Sequence, residues 1–291
     1  MGVPHNTGKA QMSHRQTVAL ALGGGGARGI AHVHVLKAFD DLGIRPAAIS
    51  GSSIGAIVGA GYASGMSGKQ IEELMLSAFG NRAAVFASLW KLRPQPLRAF
   101  SGPGNFGQMD IEKVLDVFLP ETYPKSFEEL SIPLKITGTD YYGNALKVLE
   151  SGDLRKAVAA SAAIPVVFVP VVIDGCVLID GGINNPLPFD LLDASRHRVV
   201  AVDVVGLPMG APGKLPSRID SAFGASQLMM QSITALKLKS HPPDLFLRPK
   251  VDAYRVLDFL KAREILTETA SIYDETRRGL ERLLEAEAVA G

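Results

Sequence analysis

Two glycine-rich turns, LALGGGGARG at residues 20–29 and ISGSSIG at 49–55, each stand between a short apolar run and a helical pattern. That repetition constrains the fold more than any other feature, because strand, tight turn and helix in immediate succession make a βα unit, and two such units in tandem predict a parallel sheet. Val18 to Leu22 supply the first strand. Behind the first turn, AHVHVLKAFDDLG carries His32, Val35, Leu36, Phe39 and Leu42 at helical spacing before Gly43. Ala47 to Ser50 form the second strand, and AIVGAGYASG, rich in Gly and Ala, reads as a closely packed buried helix. Both turns then lie at the carboxyl edge of the sheet, where open α/β sheets bind ligands.

The remaining chain continues in the same style. Ser67 and Gln70 form a capping box that opens a helix over Ile71 to Phe79, and Asp110 is an N-cap for Ile111, Val114, Leu115 and Phe118, a helix that Pro120 ends. A third strand is expected over Pro133 to Thr139, and a short helix over Lys156 to Ala163, stopped by Pro165. Asp174-Gly175 between two apolar runs predicts a two-residue hairpin. Arg198 to Val204 and Leu245 to Arg248 add strands, and Val256 to Leu284 is expected to be one charged amphipathic helix presenting Ile272, Leu280, Leu283 and Leu284 to the core.

Composition sets limits on partners and location. The 291 residues carry 30 Lys plus Arg against 29 Asp plus Glu, so no electrostatic footprint for nucleic acid exists at the level of the whole chain. The single cysteine, Cys176, excludes an intrachain disulfide and suits a reducing compartment. The most apolar run, Ala157 to Ile173, is interrupted by Pro165 and Pro170 and is shorter than the ~20 residues a membrane-spanning helix needs. Residues 1–16 are polar, without a secretory or myristoylation pattern, and read as a flexible tail; residues 17–291 read as a single domain of a cytoplasmic protein.

Gly24, Gly26 and Gly29 satisfy the dinucleotide fingerprint G-x-G-x-x-G, but the next strand ends in Ile49-Ser50-Gly51 where an acidic residue should hold a ribose. Ala27-Arg28-Gly29 likewise replaces the Gly-Lys-Ser/Thr of a phosphate loop. What stands in the second turn is G-x-S-x-G, with Gly51 and Gly55 flanking Ser53 on a strand-to-helix turn that projects a hydroxyl from the sheet edge. The competing reading is that Ser52 and Ser53 cap the helix. Unshielded amides at Gly24, Gly25 and Gly26 at a helix start suit an anion, and the anion of acyl transfer is a tetrahedral oxyanion. None of the six histidines, His5, His14, His32, His34, His197 and His241, sits in a pattern that marks a base. Asp180 differs from Asp174: it ends a strand and enters Gly181-Gly182, which permits close approach of another segment.

GGGGARG, GSSIG and DGG in that order resemble the three signatures of the patatin-like phospholipases, a family that uses a Ser-Asp dyad without histidine. AHVHVLKAFDDLGI and AVAASAAIPVVFVPVVIDGCVLIDGGINNPLP extend the resemblance firmly over roughly residues 17–205, and it reaches the C-terminal helix loosely. It implies a three-layer α/β/α fold with a mainly parallel central sheet. It further implies Ser53 as nucleophile, Asp180 as base, Gly24, Gly25, Gly26 and Arg28 at the anion-binding turn, and Gly51, Gly55, Gly181 and Gly182 as motif support. The implied activity is lipid acyl hydrolysis, of phospholipase A, lysophospholipase or esterase type, on a phospholipid or other acyl ester, with neither metal nor other cofactor. His34 departs from the pattern, since related sequences often carry glycine there. Three alternatives stay open: a Ser-Asp-His esterase with His197 or His241 as base, a non-catalytic lipid-binding regulator, and nucleotide binding at the first turn. The stretch from Asn81 to Phe100, NRAAVFASLWKLRPQPLRAF, mixes aromatic and basic residues and reads either as a core helix followed by a proline loop or as a lid or peripheral membrane contact.

Overall fold

The computed structural model describes residues 17–80, 108–210 and 213–290; the expected tail and the stretch from Asn81 to Phe100 lie outside them. Strand β1 (Thr17–Leu22) organises the rest, because alternate residues of a strand face opposite sides of its sheet. Val18, Leu20 and Leu22 join a large core with Leu36, Phe39 and Val58, whereas Ala19 and Ala21 join a smaller one with Leu187, Phe189 and Leu192. On the larger face pack α1 (His32–Asp41), α2 (Ile54–Ala63), α3 (Gly68–Phe79), α4 (Ile111–Phe118), α5 (Leu154–Ser161), α7 (Ala262–Thr269) and α8 (Ser271–Ala290). On the other face, α6 (Arg218–Ser240) meets the smaller core through Leu238. The result is the expected α/β/α sandwich.

Eight strands form one sheet in the order β5-β6-β3-β2-β1-β7-β8, with β4 also paired to β3. The strands are β2 (Ile49–Gly51), β3 (Leu134–Asp140), β4 (Ala145–Leu149), β5 (Val171–Ile173), β6 (Cys176–Asp180), β7 (His197–Val202) and β8 (Leu245–Leu247). The segment from β2 to β8 through β1, together with the β2–β3 pair, is parallel; β4, β5 and β6 run antiparallel to their neighbours.

One detail of register brings distant residues together. Ile136 of β3 pairs with both Gly51 of β2 and Leu149 of β4, so β2 and β4 occupy opposite edges of β3. Gly138 pairs with both Lys147 of β4 and Asp180 of β6, so β6 shares the edge used by β2. Because β2 is parallel to β3 and β6 antiparallel, the two strands approach end to end. Their carboxyl termini stop two positions apart on β3, about 7 Å.

Most local expectations match. The Ser67/Gln70 capping box and the Asp110 cap are present, and Asp174 (φ 49°) and Gly175 (φ 79°) make the hairpin turn between β5 and β6. The expected single helix over Val256 to Leu284 is corrected: a 3-10 turn at Phe259–Lys261 precedes α7, and the chain re-starts as α8 after Ala270. Ile272 and Leu280 are buried as expected, but Leu284 is exposed. Strand β4 and helix α6 were not anticipated. The latter buries Gly224, Gln227 and Thr234 rather than an apolar stripe, so it lacks the periodic signal of an amphipathic helix. No helix among the described residues is long and apolar enough to cross a membrane.

Candidate active site

The second glycine turn holds Ser53 at φ 52° and ψ −122°, a backbone conformation that costs a non-glycine residue about 1–3 kcal/mol and persists only where surroundings impose it. Those surroundings are identifiable. The Ser53 amide donates to Ser161 Oγ on α5 at 2.8 Å, and the Ser52 amide donates to Leu22 O at 3.1 Å. Gly55 packs so tightly on the carboxyl end of β1 that an added Cβ would collide with the Leu22 carbonyl oxygen. The turn is thus pinned from β1 and from α5, and Ser53 starts α2 with no side-chain capping bond. Its hydroxyl is free of the capping role that the alternative reading gave it.

That hydroxyl donates to Asp180 Oδ2 at 2.6 Å, across 127 positions of sequence. Asp180 arrives by the end-to-end approach of β6 and β2, and its other oxygen, Oδ1, accepts the Gly182 amide at 2.7 Å. Gly181 lies against the Thr137 carbonyl, where a Cβ has no room, so the chain can leave β6 only through glycine. Asp180 is buried, and that burial pushes its carboxyl up from the ordinary 3.8 to about 6, against the opposing hydrogen bonds from Ser53 and Gly182. A carboxylate with this proton affinity is a far better acceptor for a hydroxyl proton than a solvated one, yet is still largely ionised at neutral pH.

The first turn divides its amides. Gly23 N donates to Val202 O at 3.0 Å and Gly24 N to Pro186 O at 2.9 Å, so the Gly24 amide is already used to tie the turn to the loop after Asp180. The expectation that Gly24 is an anion donor is therefore corrected. Its role is closeness: a Cβ there would stand 3.3 Å from Ser53 Cβ. Gly25 and Gly26 begin a 3-10 turn (Gly26–Ala31), and among the described residues their amides have no backbone acceptor outside that turn. Both line a cavity together with Ser53 and Asp180.

Arg28 is corrected as well. Its guanidinium is buried and bonded to carbonyls, through Nε to Tyr254 O at 2.7 Å, through Nη1 to Val205 O, and through Nη2 to Leu207 O at 3.4 Å. Burial lowers its pKa to about 10, partly opposed by Asp252, Asp258 and Asp203, so it stays charged and clamps the segment after β7. A side chain bonded to these carbonyls is a brace, not a donor to a substrate.

The four histidines among the described residues resolve by position, His5 and His14 lying outside them. His32 is fully buried, and its Nε2–H donates to Gly23 O at 2.9 Å; burial lowers its pKa to about 4, so it is a neutral support of the turn. His34, the departure from the family pattern, donates from Nε2 to Leu266 O at 2.8 Å and thereby anchors α7 on α1. His197 pairs with Thr17 Oγ1 at the starting edge of β1 and β7, the end of the sheet opposite to Ser53. His241 caps the exposed end of α6 before β8 begins, on that same far edge.

Sequence reasoning missed Ser161 and a strut built on Lys237. Lys237 Nζ donates to Asn185 Oδ1 at 2.6 Å and Leu187 O at 2.8 Å and pairs with Asp190, holding the loop whose Pro186 carbonyl receives Gly24. The only hint of Ser161 is a hydroxyl among the small apolar residues from Ala157 to Ala163; for Lys237 there was no local sign.

Two cavities meet at Ser53, Gly26 and Ile164. The larger, about 340 Å³, runs along α2 between α3 and α4; the smaller, about 110 Å³, contains Asp180. A buried hydroxyl on a carboxylate, sharing a cavity with two amides that have no acceptor outside their own turn among the described residues, at the junction of an apolar and a mixed cavity, suits nucleophilic attack on an ester that carries an apolar acyl group.

Comparison with known proteins identifies relatives of the chain. The family described as patatin-like phospholipase matches residues 20–193. An uncharacterised NTE family protein of Mycobacterium tuberculosis is 34% identical over 194 residues, covering 66% of this chain and 50% of the relative. A protein named lysophospholipase NTE1 from Yarrowia lipolytica is 26% identical over 286 residues, 88% of this chain and 19% of its own length. The chain thus spans half or less of these curated relatives. In three dimensions it is similar to VipD of Legionella pneumophila, with a TM-score of 0.50 and 16% identity over 92% of this chain and 67% of that one, a likeness of fold. The chain belongs to the patatin-like phospholipase family.

Proposed function

We propose that this chain hydrolyses the carboxylic ester of a phospholipid or related acyl lipid, with Ser53 as nucleophile and Asp180 as its base. The observation that carries the reading is the 2.6 Å contact between Ser53 Oγ and Asp180 Oδ2 in a buried site where two cavities meet. Family membership and the name of the Yarrowia relative support lipid esters as the substrate class.

In the first half-reaction Asp180 takes the Ser53 proton as Oγ bonds to the carbonyl carbon, and the Gly25 and Gly26 amides receive the oxyanion. Collapse expels the alcohol, which leaves with the proton held on Asp180. In the second half, Asp180 takes a proton from water, the resulting hydroxide attacks the acyl-Ser53 ester, and the fatty acid departs as the proton returns to Oγ. A single carboxylate serves both halves because the same atom stands beside nucleophile and leaving group.

A triad with a histidine base is tested directly. His197→Ala and His241→Ala, singly and together, are expected to keep kcat/KM for p-nitrophenyl butyrate within about threefold of the parent, because both side chains lie at the far edge of the sheet. A loss of two orders of magnitude in either variant would transfer the base role to that histidine.

A further inference from the structure

The two cavities differ in what they can accept, and their relation to Asp180 assigns them. Asp180 must hand its proton to the departing alcohol, so the alcohol leaves on the side of the smaller cavity, where Asp180 lies. The acyl chain then occupies the other side. The larger cavity fits a hydrocarbon: away from its junction at Gly26 and Ser53 its described lining is apolar, and the one phenol there, Tyr123, donates its hydroxyl to Ile57 O at 2.9 Å, so the described side chains beyond the junction offer a polar headgroup no free donor.

The far end of this cavity lies two helical turns along α2 from Ser53, about 12 Å at the rise of an α-helix. There Gly61 faces Met66 and Ile71. An added Cβ at Gly61 would sit 3.5 Å from Met66 Sδ and 3.7 Å from Ile71 Cγ1, ordinary contact distances, so alanine fits, and a longer side chain must either push these two cavity-lining residues or enter the cavity itself. Gly61 is the lining residue of α2 most distant in sequence from Ser53, and Met66 and Ile71 line the cavity beside it, so added volume there would shorten the space open to an acyl chain.

We infer that Gly61 sets the length of acyl chain accepted, as the floor of a channel that begins at Ser53. The inference rests on the ester-hydrolase reading, and its test separates the two. Ser53→Ala is expected to abolish the parent's turnover of both p-nitrophenyl butyrate and p-nitrophenyl laurate; a parent without turnover, or survival of either activity in Ser53→Ala, defeats the reading of a Ser53 ester hydrolase, whatever Gly61 does. In the parent background, Gly61→Leu is expected to lower the ratio of kcat/KM for laurate over butyrate at least tenfold, the range for methylenes excluded from an apolar pocket. Gly61→Ala, which adds one carbon in ordinary contact, is expected to lower that ratio about threefold, and it keeps the test intact if the leucine variant folds poorly. A ratio unchanged in the alanine variant and in a folded leucine variant, or an equal loss on both esters, overturns the assignment.

Discussion

Asp180→Asn is expected to lower kcat on a p-nitrophenyl acyl ester by about 10³-fold or more while making the protein more stable at pH 8. The catalytic half follows from its place 2.6 Å from Ser53 Oγ, since removing a positioned general base costs about 10²–10⁴ and no histidine among the described residues stands by to replace it. Asparagine keeps the acceptor for the Gly182 amide but cannot take a proton. The stability half follows from burial. The folded-state pKa is raised from 3.8 to about 6, so the native state binds more protons than the unfolded state between those values, and stability falls as pH rises through that window. Above it the charged carboxylate costs roughly 3 kcal/mol. Urea unfolding of Asp180→Asn should therefore show a gain on the order of 1–3 kcal/mol at pH 8 that shrinks toward pH 4. The parent kcat/KM should climb with pH through about 6, as the base ionises. A destabilised variant at pH 8, or a parent profile flat from pH 5 to 7, would show that Asp180 is not a strained, buried base.

The second large effect falls on the first turn. Gly25→Ala is expected to reduce kcat by about 10²–10³, the measured cost of losing an oxyanion donor, and to lower the midpoint of thermal unfolding. An added Cβ at Gly25 would collide with the Val204 carbonyl oxygen and stand 3.0 Å from Val204 Cγ2, so the turn must shift away from the segment after β7. That shift moves the Gly25 amide, which no backbone acceptor outside the turn holds in place. Steady-state kinetics beside a melting curve separates the two effects. A near-parental kcat in a variant whose midpoint has fallen would mean that the oxyanion is held by other groups, with Gly26 alone the leading alternative.

These expectations come from features of unequal visibility. The two glycine turns and Asp180 were legible because each is a local demand: Ser53 needs a neighbour without a side chain at Gly55, and Asp180 needs Gly181 against Thr137. The Asp174-Gly175 hairpin was legible for the same reason, since its two positive φ values select those residues. What stayed hidden is non-local. Amides of the first turn could be counted from sequence, but not that Pro186 would claim Gly24, nor that the carbonyls of Val205 and Tyr254 would claim Arg28. Nor does any pattern announce that β2 and β6 share one edge of β3, the register that brings Ser53 to Asp180. Helix α6 escaped because its buried positions are glycine and polar residues, and the Lys237 strut because a lysine on a polar helix looks like surface.

The central claim is that Ser53 forms a covalent acyl intermediate, and a fluorophosphonate probe tests it without choosing a substrate. The folded parent should be labelled stoichiometrically, with the adduct on the peptide containing Ser53, and Ser53→Ala should take up none. Absence of label on the folded parent, or equal labelling of Ser53→Ala, would contradict the account; the former would leave the two cavities as a lipid-binding site without chemistry.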